Sequence, residues 1–120
     1  MTLNDLVAAQ RAFDTRHGWT PDRQDVRSVL NFLVRDTIGL VGEVGEFANE
    51  LKKLQLVEGR DEFTPEWSSR LPNLREEIVD TLIYVVRIAS HLEIDLEVEY
   101  ATKLEKNRAR FAKFERPSQR

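Results

Sequence analysis

From Asp22 to Val57 the chain runs without a proline, and apolar residues recur through it at helical spacing: Val26, Val29, Leu30, Leu33, Ile38 and Val41. A helical period held over so long a stretch excludes a β-strand there, because strand side chains alternate with a period of two. The stretch is either one long helix or two, with a plausible break between Asp36 and Gly39. Pro21 suits the first position of this helix. Gly39, Gly42 and Gly45 sit three apart inside it. Each costs roughly 1 kcal/mol relative to Ala in a helix interior, and their ridge leaves room for another backbone or a ligand to approach closely.

The rest of the chain follows the same pattern. Thr2 and Asp5 form a capping box for a first helix ending between Phe13 and His17, and Gly18-Trp19-Thr20-Pro21 breaks it. Glu58 to Pro72 reads as a loop, punctuated by Gly59, Thr64-Pro65, Ser68-Ser69 and Pro72. A third helix, starting at Asn73 or Ser69, carries Leu74, Ile78, Leu82, Val85, Val86, Ala89 and Leu92. Glu93 to Asp95 marks a short turn before a fourth helix from Leu96 to Phe114. Residues 1–116 thus form one helical domain, with 117–120 a frayed tail. The third helix is too apolar to be covered by its own chain alone, which implies a homodimer or homotetramer.

Composition narrows the function. Eighteen basic side chains against 21 acidic ones, net charge -3, leave no cationic excess for nonspecific nucleic-acid binding. Without cysteine there are no disulfides and no thiolate metal sites. No uncharged stretch is long enough for a membrane span, and Met1-Thr-Leu-Asn-Asp is unlike a signal peptide. A cytoplasmic protein is expected.

Two acidic pairs stand out, Glu43-Val-Gly-Glu46 and Glu77-Ile-Val-Asp80. Residues three apart on a helix point one way, so each pair projects from a single face, and Glu50 extends the first. Apolar neighbours (Val44, Phe47, Ile78, Leu82) put these carboxylates at the border of a buried seam, where they are costly unless paired or metal-bound. Facing pairs from two helices would make an all-oxygen nest suited to Mg²⁺ or Mn²⁺. The same residues are also common on solvated helix faces, so spacing alone leaves both readings open. Glu50 and Glu76 read as supporting or solvated residues. A di-iron site would need Glu-x-x-His on two helices, and neither His17 nor His91 lies three residues after a Glu.

Lys52 and Lys53 end the acidic face, and Lys103, Asn107, Arg108 and Arg110 crowd the fourth helix. Such cations could neutralise a polyphosphate, or merely answer the dipole at a helix C-terminus. Trp19 and Trp67, both expected in loops, are either core plugs or stacking plates for a base.

Gly39-Leu-Val-Gly-Glu-Val-Gly-Glu-Phe-Ala-Asn-Glu-Leu-Lys-Lys53 resembles the metal-binding helix of the MazG-like pyrophosphohydrolases, including their dCTP pyrophosphatase branch. Glu76-Glu-Ile-Val-Asp-Thr-Leu-Ile-Tyr84 resembles their second signature, and Lys103-Leu-Glu-Lys-Asn-Arg-Ala-Arg-Phe111 the closing one. The resemblance runs from about Leu6 to Phe111. It implies an all-α bundle of four to five helices, assembled as a dimer or dimer of dimers. It also implies Mg²⁺-dependent hydrolysis of a nucleoside triphosphate to a monophosphate and pyrophosphate, a house-cleaning activity on the nucleotide pool. By position, Glu43, Glu46, Glu77 and Asp80 would be metal ligands and catalytic residues. Lys53, Lys103, Asn107, Arg108 and Arg110 would contact phosphate, and Trp19 the base. Gly42 stands where the common E-E-x-x-E pattern has its first Glu. That leaves the number of metals and the water-activating base open, and keeps alive the alternative of a catalytically idle helical oligomer that binds nucleotides or a protein partner.

Overall fold

The computed structural model describes residues 1–117 and is all-α among them: α1 (Leu3–Arg16), α2 (Val26–Gln55), α3 (Phe63–His91) and α4 (Leu96–Arg110), with one 3₁₀ turn at Ala112–Phe114. Of the tail expected from Pro117 onward, residues 118–120 lie outside the described residues.

Thr2 accepts the Asp5 amide while the Asp5 carboxylate accepts the Thr2 amide, so the capping box that opens α1 is formed. Gly18, at φ 72°, takes the left-handed conformation that ends it. The second helix starts later than expected. Pro21 is buried ahead of it, Asp22 accepts the Gln24 amide in a turn, and Asp25 caps by accepting the Arg27 amide. From Val26 the helix is continuous for 30 residues, with no break between Asp36 and Gly39. The Asp36 carboxylate faces Arg87 and His91 of α3, so it is not free to compete for local backbone amides.

The expected loop from Glu58 to Pro72 is corrected by the structure: only residues 56–62 connect the helices, and α3 starts at Phe63. Pro65 falls in the first turn, where a missing N–H costs nothing. Pro72 lies inside the helix, a position that costs about 3 kcal/mol for an interior proline. Packing and ion pairs override that propensity: Arg70 reaches Glu66 on its own helix and Glu50 across on α2. Trp67 is therefore helical, lining an apolar groove with Leu51, Leu54 and Phe63. Asn73 does not cap a helix; its amide donates to Glu77. At the other end, Arg23 donates to the Ser90 and His91 carbonyls, and Asp95 caps α4. The last turn expected of α4 is 3₁₀ instead.

α2 and α3 pair as an antiparallel hairpin, α1 lies on α3, and α4 packs on α1. Leu54, Leu74, Val86 and Ala89 are buried between them. The chain is elongated, 57 × 39 × 26 Å with a radius of gyration of 18.8 Å; a compact domain of this length has about 13–14 Å. Its accessible surface is 9443 Å², against about 6,700 Å² for a compact monomer of this mass. Much of the excess is apolar. Val26, Leu30, Val34, Ile38, Val41 and Val44 form an exposed stripe along α2, and Ile78, Leu82 and Val85 are exposed on α3.

Candidate functional site

On α2, the residues facing α3 include Asp36, Glu43, Phe47, Glu50 and Leu54, spaced by the three-, four- and seven-residue steps that keep side chains on one face. Glu46 flanks this row. On α3, Glu77 and Asp80 face back. The carboxylates act on one another's protonation across the seam. Glu43 is raised above the ordinary carboxylate range, first by desolvation and then by the charges of Glu46, Asp80 and Glu77. Glu77, the most buried of them, is raised first by desolvation, then by Glu50 and Glu46, with Asp80 adding to it and the Asn73 hydrogen bond opposing. Glu50 shifts the other way, held low chiefly by its hydrogen bond to Arg70 at 2.8 Å and by Lys53.

The expected metal ligands Glu43, Glu46, Glu77 and Asp80 thus share one region of the α2–α3 seam. Among the described residues, however, no three His, Asp or Glu side chains are gathered at ligand distance of a single point. Two features suit a hard divalent cation. The donors are all oxygen, and Glu77 Oε2 is buried with no hydrogen-bond partner, an expensive state for a carboxylate oxygen.

The expected phosphate contacts divide. Lys53 lies beside Glu50, 3.5 Å away, at the end of the acidic face. Lys103, Asn107, Arg108 and Arg110 belong to α4, which packs on α1 and makes no extensive contact with α2 or α3. Arg108 pairs with Glu105 of its own helix. The guanidinium of Arg110 stacks 4.9 Å from the Phe111 ring, and Asn107 lines a small pocket with Phe111 and Phe114. A single chain therefore does not bring these four to the carboxylates.

Trp19 sits in the α1–α2 connection as expected, 36% exposed. One side of its ring stacks on His17 at 4.7 Å. With Arg35, Asp36, Tyr84 and Arg87 it lines a polar pocket of about 260 Å³. Of the three glycines, Gly39 alone meets a neighbour, since a Cβ there would run into the Tyr84 ring. The close approach expected along the ridge is real at that position. Gly42 and Gly45 face open space.

Sequence reasoning missed several residues here. Arg87 stands in the apolar run Tyr84-Val-Val-Arg-Ile-Ala and Asp36 in Phe32-Leu-Val-Arg-Asp-Thr-Ile. A charge inside an apolar helical run, alone at Arg87 and paired with Arg35 at Asp36, was the available signal. Their partners, 51 residues apart in sequence, were not readable from spacing. Arg70, the clasp on Glu50, was hidden in the supposed loop.

A family model described as the MazG nucleotide pyrophosphohydrolase domain matches residues 37–114. The chain is similar to dCTP pyrophosphatase 1 of Homo sapiens, 32% identical over 114 residues, covering 92% of this chain and 59% of that protein. The Mus musculus protein of the same name is 31% identical over 111 residues, with 92% and 59% covered. The chain thus spans less than two thirds of the length of these relatives. No solved structure matches it.

Proposed function

This chain belongs to the MazG nucleotide pyrophosphohydrolase family, and from that premise we propose that it is a Mg²⁺-dependent hydrolase of nucleoside triphosphates, releasing a monophosphate and pyrophosphate. The observation that carries the reading is the group of carboxylates across the α2–α3 seam, with Glu77 Oε2 buried and unpartnered. Glu43, Glu46, Glu77 and Asp80 would hold Mg²⁺, or Mn²⁺ in its place. Bound there, the ion supplies charge neutralisation of the phosphate oxygens and makes a water more acidic. Glu46, the exposed member, would position the attacking water or take its proton. Glu50, kept charged by Arg70, adds negative charge that favours the cation. Lys53 at the end of the face neutralises the leaving phosphates, and Trp19 contacts the base. Little covalent chemistry falls to the protein; placement and charge supply the rate.

The site is completed by a second copy of the chain. The surface excess over a compact monomer is about 2,700 Å² per chain, or about 5,400 Å² for a pair, at the upper end of obligate dimer interfaces. A partner seated on the α2 stripe would cover that area and is the means of bringing Lys103, Asn107, Arg108 and Arg110 of α4 to a carboxylate cluster. Dimer and dimer of dimers both satisfy this.

A panel of canonical and modified triphosphates, with and without Mg²⁺, tests the reaction. The expected result is metal-dependent release of pyrophosphate with the matching monophosphate. Orthophosphate and a diphosphate as products would overturn the assignment of the cleaved bond. Binding without any product would favour the catalytically idle alternative.

A further inference from the structure

Two arginines of α3 reach carboxylates on α2, and they are held differently. Arg87 is enclosed between two helices, its Nε 3.4 Å from Asp14 Oδ2 and its Nη2 3.5 Å from Asp36 Oδ1, with 13% of its side chain exposed. Arg70, near the other end of the seam, is 29% exposed. Its Nη1 donates to Glu50 Oε2 at 2.8 Å and its Nε to Glu66 Oε2 at 3.1 Å. A guanidinium carries five N–H donors, so these two bonds leave donors over for another acceptor.

The register brings this clasp to the border of the carboxylate group. Arg70 precedes Glu77 by seven residues on α3, and Glu50 follows Glu43 by seven on α2. In an antiparallel pair both steps run the same way along the seam, about 10 Å, and away from Trp19 and Arg87. Glu50 lies one turn beyond Glu46 on the same face, and its charge acts on Glu77 more strongly than those of Glu46 and Asp80. The second Glu50 oxygen, Oε1, is 3.5 Å from Lys53 Nζ. One carboxylate beside the Glu43, Glu46, Glu77 and Asp80 group therefore holds a cation on each of its oxygens. Arg70 stands outside all three stretches that carry the family resemblance, 39–53, 76–84 and 103–111.

We propose that Arg70 contacts the terminal phosphates of the nucleotide, the pair that leaves as pyrophosphate, and does so beside Lys53 while keeping its bond to Glu50. This rests on the proposed pyrophosphohydrolase reading for why a nucleotide is the ligand. The guanidinium fork matches phosphate oxygens two at a time, which a lysine does not. Glu66 is the partner that gives way. It is 44% exposed and only four residues from Arg70 on the same helix, and such pairs contribute little in water. A phosphate oxygen bound there makes the stronger, charge-assisted bond. Along the seam the ligand then has one direction: base at the Trp19 end, metal-bound phosphate at the carboxylates, terminal phosphates at Arg70.

The test reads binding rather than turnover, with inorganic pyrophosphate and Mg²⁺ as the probe in a calorimetric titration. Arg70→Gln should weaken pyrophosphate binding by about tenfold or more. Mg²⁺ titrated alone should bind the variant no more weakly than the unmodified chain, with helical circular dichroism unchanged. A clasp that merely holds α3 against α2 predicts otherwise. Mg²⁺ and pyrophosphate binding falling together, or pyrophosphate binding left unchanged, would overturn the proposal. Glu66→Gln removes the displaced competitor and should tighten pyrophosphate binding. It carries the test should Arg70→Gln fail to fold, and unchanged or weaker binding there would overturn the proposal too, as would an unmodified chain that binds no pyrophosphate. Hydrolysis of triphosphates with pyrophosphate binding indifferent to Arg70 would sink this inference and leave the proposed reaction standing. Arg70-dependent binding without hydrolysis of any triphosphate would do the reverse.

Discussion

Replacing Gly39, Gly42 and Gly45 one at a time by Ala puts the same chemical change at three places on one helix, with different expected signs. Ala gains about 1 kcal/mol of helix propensity over Gly. At Gly39 the added Cβ would stand 2.5 Å from Tyr84 Cζ and 2.8 Å from the Tyr84 hydroxyl, whereas non-bonded carbons rest about 3.5–4.0 Å apart. The ring must therefore move by about 1 Å, and overpacking of this kind costs about 1–3 kcal/mol. The net effect lies between no change and a loss of about 2 kcal/mol. At Gly42 and Gly45 nothing within the chain lies within 4 Å of the added atom, so the full propensity gain remains. Gly39→Ala should fall below Gly42→Ala by about 1–3 kcal/mol; each kcal/mol separates melting temperatures by about 3–5 °C in a domain of this size. Urea unfolding followed by circular dichroism reads the difference. All variants are compared at one protein concentration, because self-association adds stability by mass action. Tyr84 lines the same pocket as Trp19, the proposed base contact, so Gly39→Ala should also raise KM for the triphosphate. Equal stability of the Gly39 and Gly42 variants would refute the close approach of Tyr84. Losses at Gly42 or Gly45 would show that a partner covers that side closely.

Pro72→Ala should stabilise the protein by about 1–3 kcal/mol, since the restored amide can complete the α3 ladder, and an unchanged urea midpoint would contradict the continuous helix. Glu43 and Glu77 have raised folded-state pKa values, so the folded chain holds protons that the unfolded chain releases. In EDTA, stability should fall as pH rises from the ordinary carboxylate range through those raised values, and Mg²⁺ should remove the fall. Glu50, lowered by Arg70, acts oppositely and only at lower pH: its contribution is lost as pH falls through its depressed value. A melting temperature in EDTA that rises across the first window would oppose the clustered-carboxylate account. Ile38→Glu on the exposed α2 stripe should yield monomers by light scattering at concentrations where the unmodified chain is dimeric or larger; a monomeric unmodified chain would refute the partner-covered stripe.

Much of the fold was legible because helical period, caps and the Gly18 stop are local signals. The α1 capping box and the turn ahead of Asp95 depend only on residues a few positions apart. The α3 start was misread because Pro65 and Pro72 look like loop punctuation. What carries the helix through Pro72 is tertiary packing, including the Arg70 clasp on Glu50, which sequence spacing does not display. The carboxylate row was legible from its spacing, and the resemblance joined its two halves. The Asp14–Arg87–Asp36–His91 group was not, since buried ion pairs join three helices and leave no periodic trace. Where α4 lies was equally invisible, because its packing on α1 is a tertiary contact that spacing does not display.

The central claim is that the α2–α3 carboxylates hold the cation that pyrophosphate release requires. The most direct measurement is pyrophosphate release by the unmodified chain and by Asp80→Asn, side by side, across a Mg²⁺ titration with a triphosphate that the chain hydrolyses. The account predicts metal-dependent release by the former. It predicts release lost, by about 10²-fold or more, in the variant, with helical circular dichroism unchanged. Asp80→Asn turning over at the normal rate with the same Mg²⁺ dependence would contradict it.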